Sequence, residues 1–520
     1  MLKFLIGVVL GVLVFYNLQA GPDGDLALKK RGQFLRGHLR VPLDYTNASD
    51  PRNASIAVAV YPAGGGKTPK EDILGSLILN PGGPGGSGIQ FVQVAAEGLD
   101  KKFEGRYNIV GFDPRGTGAS WPKLECLDVD AWSRTLAVHG LPGFQSDEVH
   151  PHEVGARLAL NRLLADTCAN SAASALQRFM GTVATARDLQ LLHRALGDEK
   201  LHYWGFSYGS VLGSTYADLF PDDVGRLAID GILDARAYYA GALASSLQSI
   251  EDELDGFFVE CAKSGNACAL SALSTNSPAL KAAVMDWGHE LKQRPVPVAR
   301  AGEKPYLYTY FSFISQLFGA MYAPSSWPEL ASNLYAAIAH GDFAGLPAAA
   351  GFAPIEQRFT QIYCGDVLAN PSVDPSPEEY VQYTEPLAAM SPHFASFFAK
   401  DDLLCRAWSL RAPERYEGSF TANTSFPLLI IGNDYDPVTP LASAETMAAL
   451  FETPVVRRAG YGHCSSSQPS KCVDDIIVNY FLHGEMPGNT YCPVDTPVFG
   501  GLVDPTSFSA IIDPAFAALD

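Results

Sequence analysis

A serine flanked by glycines lies at a strand-to-helix joint near the middle of the sequence. Residues 205–209, GFSYG, follow an apolar, aromatic-rich run that predicts a buried strand, and they precede small and apolar residues at helical spacing. In that context a G-x-S-x-G pattern forms a strained turn that lifts the serine hydroxyl off the sheet. We therefore predict that Ser207 is a nucleophile, the alternative being a serine that only caps the helix.

An acid and a histidine follow later strands. The run 426–432, FPLLIIG, predicts a buried strand and leads into a loop that contains Asp434 and Asp436. An acid just past the carboxyl end of a strand is placed to orient a histidine, and we favour Asp436, which immediately precedes a proline. His463 lies in a glycine-flanked loop after one further predicted strand. The chain order Ser207, Asp436, His463 is the order of a triad carried on a mainly parallel sheet.

A glycine-rich loop follows the predicted strand 73–80. Residues 81–88, PGGPGGSG, allow the backbone to approach a ligand with its N–H groups free, as an oxyanion hole requires. The two prolines cannot donate, so the amides of Gly82 and Gly83 are the candidates, and Gly83 is preferred. A flexible surface loop is one alternative. The other is a phosphate cradle, although the G-K-[ST] ending and the G-x-G-x-x-G spacing of such loops are absent.

The composition is that of a large globular protein with an acidic balance. The 520 residues are 47% hydrophobic and 18% charged, and 37 Lys and Arg against 56 Asp and Glu give a net charge of −19. This balance opposes binding to nucleic acid or to anionic membranes, and it favours a soluble protein of an acidic or extracellular medium.

The first twenty residues have the pattern of a secretory signal. A single cation, Lys3, precedes the apolar run 4–15, which is short for a membrane span, and cleavage is expected after Ala20. The alternative is an uncleaved signal anchor. A secreted, extracellular protein without stable membrane association is expected, and three N-x-[ST] sequons are candidate glycosylation sites. Their asparagines are Asn47, Asn53 and Asn423.

Nine cysteines, all beyond the signal segment, favour an oxidising compartment over a metal site, because no C-x-x-C pair occurs. Local spacing suggests four disulfides, although the sequence alone does not determine the connectivity. Because nine is odd, at least one thiol should be free, and Cys464, beside the candidate histidine, is the candidate. The suggested pairs are Cys261 with Cys268, Cys126 with Cys168, Cys364 with Cys405, and Cys472 with Cys492.

The order of predicted elements indicates an α/β fold. Strands and helices alternate in 21–234 and again in 425–520, which predicts a mostly parallel central sheet flanked by helices, with antiparallel strands opening the chain at 34–61. The stretch 235–424 between them contains long helical segments and predicts a large helical lid insertion. The segment 1–20 is the signal peptide.

Three features near these elements have alternative interpretations. Arg115 follows the predicted strand 107–112, where it is expected to tie loops together rather than touch substrate. In the lid, the aromatic cluster 306–311 could line a substrate pocket, but core packing is favoured. The acidic run 251–253 could anchor a substrate ammonium, but a solvated helix face is favoured.

Taken together, these motifs carry a family resemblance. The chain resembles the secreted tripeptidyl aminopeptidase (TAP) branch of the α/β-hydrolases, which is related to the prolyl iminopeptidases, and the likeness includes the C-terminal part from about 359 to 492. The stretches that carry it are 80–88, 111–118, 203–213, 220–231, 432–440 and 462–463.

The resemblance implies an α/β-hydrolase fold and a serine exopeptidase that removes short peptides or single residues from free N-termini. It implies Ser207 as nucleophile, Asp436 and His463 as its partners, and the amides of Gly83 and Tyr208 as oxyanion donors, with no metal or cofactor. Iminopeptidases have a histidine where this chain has Pro81, which weakens the case for iminopeptidase specificity. The lid carboxylates that bind the substrate amine in those relatives have no matched positions here.

Two other functional classes remain open at this stage. A secreted esterase or lipase could use the same triad, because a triad alone does not choose between an ester and an amide. A binding protein on a hydrolase scaffold ordinarily lacks the serine or the histidine, whereas both are present here. Residue preference, the number of residues released and the oligomeric state are not fixed by the sequence.

Overall fold

The computed structural model describes residues 26–128, 131–133, 151–300, 302, 304–347, 354–368, 376–501 and 504–519. The predicted signal segment 1–20 lies outside these ranges. Among the described residues, no helix combines the length and the apolar character that a membrane crossing needs.

Within the described ranges, ten strands form one sheet in the order β1-β2-β3-β5-β4-β6-β7-β10-β11-β12, and β8 pairs only with β9. From β5 to β12 all neighbours in this order are parallel, whereas β1, β2, β3 and β5 pair antiparallel. The strands are β1 (Lys29–Arg31), β2 (Phe34–Pro42), β3 (Asn53–Tyr61), β4 (Gly75–Asn80), β5 (Tyr107–Phe112), β6 (Leu201–Phe206), β7 (Val224–Asp230), β8 (Val296–Val298), β9 (Tyr306–Tyr308), β10 (Leu429–Tyr435), β11 (Val455–Tyr461) and β12 (Thr490–Cys492). The mostly parallel sheet predicted from the sequence is confirmed.

Helices of at least ten residues are numbered here in chain order. They are α1 (Gly88–Lys102), α2 (Pro151–Ala169), α3 (Thr182–Leu196), α4 (Tyr208–Leu219), α5 (Ile250–Ser264), α6 (Ser277–Gln293), α7 (Tyr310–Tyr322), α8 (Trp327–His340), α9 (Pro354–Asp366), α10 (Pro377–Met390), α11 (Ala395–Ala407), α12 (Leu441–Leu450), α13 (Lys471–His483) and α14 (Phe508–Ala517). Gly197 ends α3 in the left-handed conformation with φ 90°, as the sequence predicts for a glycine at a helix C-terminus.

The sheet is covered on both faces, so its central strands are almost continuously apolar. One buried cluster joins the sheet to α3, α4 and α12, and a second joins it to α1, α13 and α14. A third cluster is formed by α5 to α8 and the β8–β9 hairpin, and is the lid's own core. In the described ranges, the strands of the large sheet all lie outside 235–424.

The disulfides of the structure are the four pairs that local spacing suggested. Cys464 is free and buried, also as predicted. Of the sequon asparagines, Asn47 and Asn423 are exposed in loops, and Asn53 is half-buried at the start of β3. Their glycosylation stays a prediction.

Arg115 ties together the loops beneath the sheet edge, as its position after β5 suggested. Its side chain is fully buried and makes two hydrogen bonds to the Asp188 carboxylate, at 2.5 and 2.7 Å. The same guanidinium donates to the carbonyls of Pro42, Leu43 and Phe179. A planar guanidinium with five donors suits this cluster of acceptors, because its fork matches a carboxylate in bidentate geometry.

The acidic run at the start of α5 is not the solvated helix face that the sequence favoured. Only Asp252 is exposed. The half-buried carboxylate of Glu251 contacts His393 Nδ1 at 2.8 Å and accepts a 2.8 Å hydrogen bond from Ser391. Glu253 is completely buried. The expectation was wrong because α5 packs against other chain segments at both of these positions.

Glu253 lies where the lid meets the loop after β11. Burial raises the pKa of its carboxyl group well above the usual value, and the negative charge of Asp436 raises it further. The backbone N–H of Gly462 and the positive charge of Arg458 have the opposite effect but do not cancel this increase. Gly256, nearly one turn further along α5, packs so closely that a Cβ there would lie 2.1 Å from the Tyr461 ring. The lid is thus fitted directly against the segment that carries the candidate histidine.

We expect Arg115→Met to lower the free energy of unfolding by about 3–5 kcal/mol, because it leaves the Asp188 carboxylate buried without its cation. Chemical denaturation monitored by circular dichroism measures this change. The control is Arg236→Met, whose ion pair with Asp234 leaves the arginine side chain 51% exposed, and which should change stability by less than about 1 kcal/mol. Equal losses in the two variants would contradict a structural role for the buried pair.

We expect Glu253→Gln to make the free energy of unfolding less dependent on pH. The folded pKa is raised above the unfolded value of about 4.3, so the wild-type protein binds an extra proton when folded, and its stability falls as the pH rises from about 5 to about 8. Glutamine keeps the shape and removes this titration. Denaturation at both pH values tests the expectation, with Asp252→Asn on the exposed side of the same helix as control. An unchanged pH dependence in Glu253→Gln would show that the carboxyl group is ionised in the folded protein.

Candidate active site

Ser207 occupies the sharp turn between β6 and α4. Its backbone has φ 57° and ψ −124°, a left-handed conformation that L-residues adopt only under local strain. The side chain makes no capping hydrogen bond to the helix, so the alternative role as a simple cap is wrong. Its immediate neighbours in β6 and α4 are buried, whereas Ser207 itself is partly exposed. The turn therefore leaves the serine partly accessible to solvent.

The glycines beside the serine are required by close backbone contacts. A Cβ at Gly205 would lie 2.3 Å from the carbonyl oxygen of Gly209, and a Cβ at Gly209 would lie 2.8 Å from the carbonyl oxygen of Asn80. Real Cβ contacts are not that short, so larger residues would force β6, α4 and the end of β4 apart. The G-x-S-x-G pattern thus has a steric cause in this fold.

Asp436 follows the last residue of β10 and is fully buried. Its Oδ1 accepts hydrogen bonds from the amides of Val438 and Thr439, at 3.1 and 2.8 Å, and its Oδ2 accepts one from the Cys464 amide at 2.9 Å. Burial alone would raise its pKa, but the His463 charge and these hydrogen bonds outweigh it and hold the pKa of the carboxyl below its ordinary value. Asp436 is therefore an anion at neutral pH.

His463 lies in the loop after β11 with its Nδ1 on that anion. Nδ1 is 3.0 Å from Asp436 Oδ1 and 3.1 Å from Oδ2, and the Thr439 hydroxyl lies 3.1 Å from the same nitrogen. An Nδ1–H held by a carboxylate leaves Nε2 as the nitrogen that can accept a proton. Asp434, the other candidate acid, instead pairs with Arg457 and contacts the Tyr491 hydroxyl.

The serine and histidine loops meet at one backbone carbonyl, that of Asp230 at the end of β7. It accepts a hydrogen bond from the Ser207 amide at 3.0 Å, and the Sγ of Cys464 lies 3.6 Å from it. The residue after His463 therefore packs against the group that anchors Ser207. This places the serine, the histidine and the acid at the same edge of the sheet, where strands β6, β10 and β11 end.

The glycine-rich loop after β4 packs against the serine turn. A Cβ at Gly82 would lie 2.9 Å from Ser207 Cβ and 3.0 Å from the Tyr208 nitrogen. The Gly82 amide already donates to Asn80 Oδ1 at 2.9 Å, which favours Gly83 over Gly82 as the donor that could meet an oxyanion. The Tyr208 amide is the first of α4, whose N-terminus carries partial positive charge. Its side chain points elsewhere, with the hydroxyl 2.5 Å from Thr182 Oγ1.

A buried arginine lies behind this triad. Arg458 of β11 is inaccessible to solvent and donates to Asn433 Oδ1 at 2.9 Å, the Tyr461 carbonyl at 2.8 Å and Ser467 Oγ at 2.9 Å. Burial lowers the pKa of Arg458 to about 10, although the negative charges of Asp230, Asp436 and Glu253 act to raise it. Arg458 therefore stays a cation at neutral pH. Arg458 was not predicted as a site residue, although two adjacent arginines within the predicted strand 455–459 were a signal for it.

Two lid residues also reach the site without having been predicted. Tyr322, at the end of α7, accepts a hydrogen bond from the His463 amide at 3.0 Å, and its ring lies edge-on to the imidazole with centroids 5.2 Å apart. Arg358 of α9 donates through Nε to the Gly85 carbonyl at 2.9 Å, in the glycine-rich loop. No local motif predicts either residue, because each contacts a part of the chain that is distant in sequence.

Three curated relatives illustrate the similarities of this chain. It is 27% identical to the serine protease Hip1 of Mycobacterium tuberculosis over 88% of this chain and 87% of that protein. It is 26% identical to carboxylesterase B of the same organism over 86% of this chain and 84% of that protein. A shorter match, 36% identical, covers 38% of this chain and 35% of the tripeptidyl aminopeptidase of Streptomyces coelicolor.

Two family models match different parts of the chain. The model described as alpha/beta hydrolase fold matches residues 75–284, which include β4 to β7 and the serine turn. The model described as TAP-like protein matches residues 391–492, which include β10, β11 and the loops of Asp436 and His463. Together with the observed sheet order, these matches show that this chain belongs to the α/β-hydrolases, as a serine hydrolase with a TAP-like C-terminal region.

Proposed function

We propose that this protein is a secreted serine exopeptidase that releases short peptides or single residues from the free N-termini of peptides, through an acyl-enzyme on Ser207. The observation that carries the proposal is the contact of His463 Nδ1 with the buried carboxylate of Asp436, at 3.0 Å, beside the strained serine turn. The similarity to a serine protease over most of the chain and to a tripeptidyl aminopeptidase over part of it supports a peptide substrate. The N-terminal sequence 1–20 and the four disulfides support secretion.

The first chemical stage forms the acyl-enzyme. Ser207 Oγ attacks the carbonyl carbon of the scissile amide while its proton passes to His463 Nε2, and Asp436 stays ionised and stabilises the imidazolium. The carbonyl oxygen becomes an oxyanion that accepts hydrogen bonds from the Gly83 and Tyr208 amides, each worth about 3 kcal/mol by comparison with measured oxyanion holes. The carbon–nitrogen bond then breaks as the imidazolium gives its proton to the leaving amine.

The second stage releases the N-terminal product. A water molecule attacks the ester carbonyl as His463 Nε2 takes one of its protons, and the same two amides receive the new oxyanion. Collapse of this intermediate breaks the bond to Ser207 Oγ, which recovers its proton from the imidazolium. The cycle uses protein groups and water.

Selection of chain ends is assigned to the lid. Its first long helix, α5, packs against Tyr461 through Gly256, and the end of α7 contacts His463 through Tyr322. The lid thus borders the loop that carries the candidate histidine. A lid in this position would allow the end of a peptide to reach Ser207 more readily than an internal segment of a folded protein.

A second candidate function is that of an esterase with the same triad. The similarity to carboxylesterase B over 86% of this chain favours it. The chemistry of the acyl-enzyme is shared, so the two candidates differ in the leaving group and in how the lid recognises the acyl part of the substrate.

We expect Ser207→Ala to lower kcat/KM by about 10⁴-fold or more, and Asp436→Asn by about 10⁴-fold, because the first removes the nucleophile and the second removes the anion that orients the imidazole. Labelling by a fluorophosphonate probe should disappear in Ser207→Ala, whatever the substrate. Asp434→Asn is the matched control, since this half-buried acid pairs with Arg457 and not with His463, and it should stay within about twofold of wild type. A strong loss in Asp434→Asn with an active Asp436→Asn would reverse the assignment of the acid.

Peptide substrates with free and blocked ends test the exopeptidase assignment. We expect a fluorogenic tripeptide amide with a free amine to be hydrolysed at least about 100-fold faster than its N-acetyl form, because the site must recognise a chain end. A short-chain nitrophenyl ester measures the competence of the triad in parallel. Ester turnover without hydrolysis of the free peptide would favour the esterase, and equal rates on both peptides would contradict an aminopeptidase.

A further inference from the structure

A row of aromatic side chains leads from the candidate histidine into the lid. Its members follow one another by ring contact: Tyr322 lies 5.2 Å from the His463 ring, Phe318 lies 5.4 Å from Tyr322, and Phe397 stacks on Phe318 at 4.5 Å with planes 5° apart. Phe311 continues the row, stacked at 5.9 Å on Phe397. We call these four residues, Phe311, Phe318, Tyr322 and Phe397, the aromatic row.

The aromatic row lies on a different side of α7 from the residues that fill the lid core, although Phe318 and Phe397 also pack against that core. Phe311, Phe318 and Tyr322 are two turns and then one turn apart, so they share one side of the helix at about 3.6 residues per turn. An adjacent side of the helix supplies Phe313, Leu317 and Met321 to the lid core, and each of these is 0% exposed.

The members of the row are not fully covered. Tyr322 is 37% exposed although its ring contacts the imidazole, and Phe311, Phe318 and Phe397 are half-buried. An apolar surface that stays partly open beside a reacting group is a typical ligand-binding feature, since its burial can be completed by a substrate.

The length of the row matches a short peptide. An extended chain advances by about 3.3 Å per residue, so three residues span about 10 Å. From the imidazole, the two ring-to-ring steps to Phe318 are 5.2 and 5.4 Å. Side chains of an extended peptide alternate between two faces. With the scissile carbonyl at Ser207, the residue next to the scissile bond could therefore lie against Tyr322 and Phe318, and the residue two positions before it against Phe397.

We propose that the aromatic row is a substrate subsite that selects apolar, preferably aromatic, side chains in the N-terminal segment of the substrate. The proposal rests on the proposed function, because it assumes that the acyl part of the substrate is a peptide. Aromatic side chains would be favoured over small ones, since offset and edge-on ring contacts add to simple burial. The row thus makes the lid a determinant of side-chain preference as well as a barrier.

The test compares two free-amine tripeptide substrates that differ only in one residue, alanine or phenylalanine, next to the scissile bond. We expect the wild-type enzyme to prefer phenylalanine by about tenfold or more in kcat/KM. Phe318→Ala should lose about tenfold on the phenylalanine substrate, mainly through KM, and less than about threefold on the alanine substrate. Phe318→Leu, which keeps apolar volume but not stacking, should fall between them.

The control variant is Tyr335→Ala, because Tyr335 is another half-buried lid aromatic, whose ring contacts His340 instead of the aromatic row. It should leave the preference of the enzyme unchanged. Equal losses on both substrates in Phe318→Ala, or a wild-type enzyme without preference, would overturn the subsite. Thermal melting of each variant identifies a loss that comes from unfolding, and Phe318→Leu then decides the question.

The same pair of side chains presented as free-amine amino acid nitrophenyl esters separates this proposal from the proposed function. If the esters are hydrolysed with a phenylalanine preference that Phe318→Ala removes, while the peptides are not cleaved, the subsite stands and the peptidase function fails. If the peptides are cleaved by a Ser207-dependent route with no preference between the side chains, the function stands and the subsite fails.

Discussion

The buried negative charge of Asp436 is the constraint on which the arrangement of the site depends. A carboxylate removed from water costs several kcal/mol unless hydrogen bonds and a counter-charge replace its hydration. Here three amides and one imidazole nitrogen do so, and they come from the loop after β10 and the loop after β11. Because one anion is shared by both loops, it fixes their distance from each other. The orientation of His463 is thus a consequence of keeping that charge stable in the interior.

The charge has a wider electrostatic setting that reaches from the sheet into the lid. Arg458 is surrounded by the acidic groups of Asp230, Asp436 and Glu253, and all of these side chains are buried. Three anions beside one cation would repel one another strongly at low dielectric. Burial raises the pKa of Asp230 to about 6 and that of Glu253 well above its usual range, whereas Asp436 alone is held below its ordinary value. The arrangement therefore places the stable negative charge on the residue that faces the histidine.

Much of the sheet and the chain order of the triad followed from the sequence, because both depend on local patterns. Apolar runs ended by glycine or acidic loops located the central strands, and the cysteine spacing suggested the four pairs that the structure contains. Strand boundaries differ from those predicted. The strand predicted at 426–432 lies at Leu429–Tyr435, since Pro427 cannot donate to the ladder, and pairing with β11 continues as far as Tyr435. Such shifts depend on the neighbouring strand, which a local pattern does not contain.

Apart from Arg458, the parts of the site that the sequence did not reveal come from the lid. The acidic run 251–253 had the composition of a solvated helix face, but the burial of Glu253 depends on the loop that packs on α5. Tyr322 and Arg358 likewise reach the site from lid helices, α7 and α9. Their contacts pair residues more than a hundred positions apart, and no periodicity within one helix encodes such a partner.

These lid contacts bear on how a substrate could enter. The amide of His463 donates to the Tyr322 carbonyl, so the loop that carries the imidazole is bonded to the end of α7. Gly256 of α5 lies against the ring of Tyr461, two residues before the histidine. Lifting the lid as a whole would break these contacts and disturb the orientation that Asp436 imposes. Entry beside a stationary lid would leave these contacts and the triad intact, in keeping with the selection of chain ends proposed above.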